Sequence, residues 1–260
     1  MTLKTILVHL DETPRSSLRY QLALQLAQSQ KARLGGLYAA FAPSFSRGAE
    51  QEKAATMHSD CAAQAAEAGV EFIWIQPDEA EALLPLTNRL LSSATYADLC
   101  VVGQSTQESH PPRNLPERLI ISSGRPVLTI PFVGNFSMVG RRIMFAWKAG
   151  RASARAIADA LPLLRAADQV ILISLAGNQE EDRANQRSLQ RMDDYLRCHG
   201  VAAKLENRLI SQISLGDALL NRASEEAIDL LVCGGMVAGQ LAPLAENMLR
   251  QMTVPVLMSS

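Results

Sequence analysis

Two hydrophobic periodicities alternate along the first half of the chain. Short β-branched and apolar runs at residues 4–10, 33–39, 70–75, 98–103 and 126–131 predict strands. Between them, Leu18, Leu22, Leu24 and Ala27 fall at helical spacing, 50–68 is an Ala-rich helical stretch, 79–94 predicts another helix, and a short helix ends near Ser123. A turn at 11–15 separates the first strand from its helix, with Ser16 or Thr13 expected as the N-cap. The run DLCVVG at 98–103 has no polar alternation, the pattern of a strand covered on both faces of a parallel sheet. Strands and helices taken in turn predict a doubly wound α/β domain.

The second half repeats this order. Residues 143–147 match 6–10, DLLVCG at 229–234 matches DLCVVG at 98–103, and Pro255-Val256-Leu257 matches Pro126-Val127-Leu128. The offsets, roughly 130 residues, drift as unequal loops would make them. Strands are expected at 142–147, 170–174, 203–210, 230–234 and 255–258, and helices at 153–167, 179–199, 214–227 and 241–252. The Gly/Ser-containing segment VGNFSMVG at 133–140 suits a linker, which divides the chain into domains 1–133 and 140–260. The polar stretch 179–191 is expected to be a solvated helix face.

Charge and cysteine usage narrow the possibilities. Lys and Arg number 25 against 26 Asp and Glu, a net charge of -1, so no basic field favours nucleic acid or an anionic membrane. The four cysteines stand far apart, without metal-ligand spacing, and are expected to be reduced and mostly buried. No apolar run approaches the ~18–20 residues of a bilayer span, and the opening run breaks at His9 and Asp11, too short for a signal-peptide core. A cytoplasmic protein is the expectation. Walker, GxGxxG, GxSxG and HExxH patterns are missing, so no catalytic set and no metal site is assigned.

The ordered set of motifs resembles that of a tandem universal stress protein. The first strand runs into an acidic residue and a polar turn (ILVHLDETPRS), and the second ends in LYA at 37–39. The fourth follows an A-D-L-x-V-x-G pattern at 97–103, and Glu117-Arg118 opens the closing helix before P-V-L. The second half carries the same layout and ends in MTVPVLM. The resemblance implies two five-stranded parallel sheets of order 3-2-1-4-5, related to the adenine-nucleotide alpha-hydrolase type. It also implies a nucleotide cleft at the carboxyl ends of strands one and four, the switch point of such sheets. It further implies an intramolecular pseudo-dimer formed through the last strands, and a homodimer of the tandem chain.

The phosphate motif of the ATP-binding branch, G-x2-G-x9-G-(S/T), is not matched. The first half keeps Gly103, but Thr106 holds the second glycine position and Arg113-Asn114 the Gly-Ser position, at a shortened spacing. The second half keeps Gly234, with Val237 and Ala242-Pro243 at the other positions. Asp11 retains the acidic residue after the first strand, whereas Trp147-Lys148 stand there in the second half. ATP or AMP is therefore conceivable at a modified first cleft of Leu10, Asp11, Gly103, Gln104 and Arg113, and disfavoured at a second one of Trp147, Gly234 and Gly235.

Individual side chains carry competing readings. Asp11 with His9 has the spacing of an acid–base pair on one side of a strand; the plainer expectation is that Asp11 accepts turn N–H groups while His9 packs locally. Trp147 is suited either to stack on a ligand or to cover a contact between the halves. His110 stands in a Pro-rich loop near Arg113, where a solvated role is expected. The leading expectation is a non-enzymatic stress-response protein acting on a small-molecule ligand or an unknown protein partner. A nucleotide-binding or weakly ATP-hydrolysing protein is the alternative.

Overall fold

The computed structural model describes residues 2–38, 47–76, 84–105 and 114–260, with the side chains of 47–51 excepted. Ala39, the start of the helix expected at 79–94, Thr106, His110 and Arg113 lie outside the described residues. The chain forms two compact units, Thr2–Phe132 and Val133–Ser260.

In the first unit β1 (Thr5–Leu10) leads through a tight turn to α1 (Arg15–Gln30), followed by β2 (Arg33–Tyr38), α2 (Arg47–Glu67) and β3 (Phe72–Ile75). Then come α3 (Leu86–Ala94), β4 (Leu99–Gly103), α4 (Leu115–Ser122) and β5 (Val127–Ile130). The strands are parallel in the order β3-β2-β1-β4-β5. Every residue of β5 and the apolar residues of β1 are buried, so the continuous hydrophobic runs are those of strands covered on both faces.

The second unit repeats the design. It contains β6 (Arg142–Ala146), α5 (Arg151–Ala166), β7 (Gln169–Ala176), α6 (Gln179–Cys198), β8 (Lys204–Leu209), α7 (Leu215–Glu225) and β9 (Leu230–Gly234). A short excursion, β10 (Met236–Val237) and β11 (Gln240–Leu241), precedes α8 (Pro243–Gln251) and β12 (Val256–Ser259). The main strands are parallel in the order β8-β7-β6-β9-β12.

The repeated acidic residue before β4 and β9 has a structural task. Asp98 accepts hydrogen bonds from the backbone N–H groups of Lys4 and Thr5 at 2.7 and 3.0 Å. Asp229 accepts from Gly140, Arg141 and Arg142 at 2.8–3.1 Å. Each carboxylate thus satisfies the entry of the strand beside it, and the motif read from the sequence is a strand-docking device. Burial pushes the Asp229 carboxyl above its ordinary value, against the lowering effect of its three N–H partners.

Two details differ from the sequence-based expectation, the cap of α1 and the start of the last helix, while the solvated helix at 179–191 is found as expected. Thr13 and Ser16 do not cap α1: Thr13 turns both its N–H and its hydroxyl to the Asp11 carboxylate, and the Ser16 hydroxyl accepts the Asp11 N–H at 3.0 Å. The helix expected from 241 starts at Pro243, because 236–241 pairs as an antiparallel hairpin. Its two central residues, Ala238 and Gly239, have φ of 50° and 82°, the sign that two-residue hairpin turns require. The helix at 179–191 is largely solvent-exposed, and Asn178 caps it by accepting the Glu181 N–H at 2.9 Å.

Candidate functional site

At the carboxyl end of β1 in the first unit, a buried ionic cluster occupies the switch point between β1 and β4. Arg19 reaches back from α1, donating from Nε to the His9 carbonyl at 2.6 Å and from Nη2 to Asp11 Oδ2 at 2.7 Å. His9, Asp11 and Arg19 are each no more than 3% exposed. His9 Nδ1 lies 3.6 Å from the same carboxylate oxygen, and Thr13 donates twice to the other. Burial pushes the Asp11 carboxyl up, but Arg19 above all, then His9 and Thr13, outweigh it and hold the pKa below the ordinary 3.8.

This cluster also explains Gly103. A Cβ there would stand 2.7 Å from Arg19 Nη1, so the missing side chain makes room for the guanidinium. Asp11, Gly103 and Gln104 come together with Arg19 around a cavity of about 70 Å³. Gln104 is buried, its Oε1 accepting the Phe132 N–H at 3.1 Å. Leu10 does not join them and faces a different cavity.

The second unit resolves the same positions differently. Gly234 lies directly under the first turn of α5, where a Cβ would come within 2.7 Å of the Ser153 backbone nitrogen. Gly235 is buried at the base of the hairpin, donating its N–H to Ser259 and accepting from Ala242. Trp147, at the repeat position of Leu10, is buried beneath α6 and donates Nε1–H to Ser188 Oγ at 2.8 Å. Lys148 points to solvent.

A cavity of ligand dimensions, about 680 Å³, lies in the first unit between α1 and α2. Leu10, Tyr20, Met57 and Cys61 line its inner part, and Glu12, Glu52, Lys53 and Asp60 are the charged groups on its walls. Tyr20 is held by a hydrogen bond from its hydroxyl to the Cys61 carbonyl. Tyr38 stacks on Trp74 at 5.8 Å between ring centroids and donates to Glu12 at 3.3 Å. Burial pushes the Cys61 thiol up to about 12, which leaves it protonated and unreactive. Sequence reasoning missed Arg19 and this cavity; the signal for Arg19 was its place in the buried stripe of α1 with Leu22, Ala23 and Leu26. Among the described residues, no cluster of His, Cys, Asp and Glu is arranged to hold a metal ion, and no helix is long and apolar enough to cross a membrane.

The architecture has known counterparts. A universal stress protein from Archaeoglobus fulgidus DSM 4304 superposes with a TM-score of 0.76 at 15% identity, covering 98% of each chain. A universal stress protein structure from Pseudomonas aeruginosa UCBPP-PA14 gives a TM-score of 0.64 at 15% identity, covering 99% of this chain and 93% of that one. The cytoplasmic domain of a prokaryotic cation chloride cotransporter gives 0.56 at 10% identity, covering 98% and 95%. No protein-family model and no curated protein sequence matches the chain. The chain therefore has the tandem fold of universal stress proteins.

Proposed function

We propose that the chain is a cytoplasmic tandem universal stress protein that acts by binding rather than by turnover, without holding ATP through a glycine-rich phosphate loop. One observation carries the reading: the space between Asp11 and Gly103 is taken by the Arg19 guanidinium, and what is left there, about 70 Å³, is far below the ~300 Å³ at which ligand pockets begin. A nucleotide at this place would have to displace a buried ion pair. The departures from G-x2-G-x9-G-(S/T) in both halves point the same way.

Calorimetric titration with ATP and magnesium, on the native chain and on Asp11→Ala, tests this. The expected result is no saturable heat up to millimolar nucleotide. One-site binding that disappears in Asp11→Ala would replace the proposal with the nucleotide-binding alternative, in which Arg19 swings out to meet the phosphates.

A further inference from the structure

We propose that the cavity between α1 and α2 of the first unit binds an organic ammonium ion carrying an apolar body. Its size, about 680 Å³, falls within the roughly 300–1,000 Å³ of small-molecule sites. Its inner wall is apolar and rigid: Leu10, Tyr20, Tyr38 and Cys61 are all buried, and Tyr20 and Tyr38 are fixed by hydrogen bonds. Such a wall accepts a hydrocarbon or aromatic body.

Charge decides the sign of the ligand. Glu12, Glu52 and Asp60 face the cavity against Lys53, the single basic side chain among the described residues that line it. Lys53 already pairs with Glu12 at 3.3 Å, which leaves Glu52 and Asp60 to set the field at the mouth. A phosphate or carboxylate entering here would meet uncompensated negative charge, whereas an ammonium group would be attracted. The second unit supplies an internal contrast. At the repeat position of Leu10 it carries Trp147, whose indole is packed beneath α6 and tied to Ser188, so that space is filled by the chain itself.

This site is separate from the β1–β4 cleft, and its test is independent of the nucleotide titration. The probes are phenylpropyltrimethylammonium, 3-phenylpropanol and 3-phenylpropanoate, titrated calorimetrically into the native chain at low and high salt. Saturable one-site binding is expected for the ammonium ion, weaker binding for the alcohol and none for the carboxylate. Raising the salt should weaken only the first. Leu10→Trp, which copies the second unit, should abolish binding. The double variant Glu52→Gln/Asp60→Asn alters exposed side chains and should fold normally by circular dichroism. It should weaken the ammonium ion about five- to tenfold while leaving the alcohol unchanged. No saturable heat from the ammonium ion, equal binding of the carboxylate, or an unchanged affinity in the double variant would each overturn the proposal.

Discussion

Arg19 fills the switch point of the first unit: its guanidinium lies against Gly103 and compensates the Asp11 carboxylate. A buried pair of this kind is costly to break from one side, because the partner is left charged in a medium that solvates it poorly. Arg19→Met is expected to lower stability by about 3–5 kcal/mol, read from urea unfolding, and Asp11→Asn in the same background should recover part of the loss. A loss below about 1 kcal/mol would show that the pair contributes little. The pH dependence follows from the depressed Asp11 pKa. The folded value lies below the ordinary 3.8, so the stabilisation is present above about pH 4 and is lost as pH falls through the folded value. Asp11→Asn should therefore flatten the acid limb of the stability profile. The sequence announced Asp11 as a turn acceptor, and Thr13 confirms that role. It did not announce Arg19, because an arginine on a helix is ordinarily read as solvated and only its phase within the apolar stripe says otherwise.

The long periodic strands and helices were legible to within a few residues, since their burial is written in the spacing of apolar positions. The hairpin of β10 and β11 was not: two-residue strands are too short to show a period, and one of its two positive φ angles falls on an alanine. The cavity between α1 and α2 was equally hidden. It depends on how far a helix stands from its neighbour, a distance that no local pattern encodes. The meeting of β9 and α5 is tighter and more predictable. Because backbone atoms rather than a flexible side-chain end face Gly234, Gly234→Ala must push the start of α5 away. The expected loss is about 1–3 kcal/mol by chemical denaturation, and a change within about 0.5 kcal/mol would mean the helix end yields freely.

Duplication followed by divergence has left two units with one architecture and unlike sites. In the first, an ion pair holds the switch point and a cavity opens beside it. In the second, a helix end and an indole take the corresponding space. The four thiols report on how well both units are closed. Cys61, Cys100 and Cys233 are buried, each pushed up to about 12 by burial, while Cys198 is exposed near the end of α6. Iodoacetamide at neutral pH should alkylate the native chain once, at Cys198, and the unfolded chain four times, as counted by intact mass. A second rapid modification would mean that one unit opens readily. The placement of the tryptophans has an optical consequence. The chain has two, Trp74 stacked on Tyr38 and His58 in the first unit, and Trp147 buried and hydrogen-bonded in the second. Each unit therefore carries its own fluorophore, in a different surrounding, and replacing either one by phenylalanine leaves an emission signal that belongs to a single half of the chain.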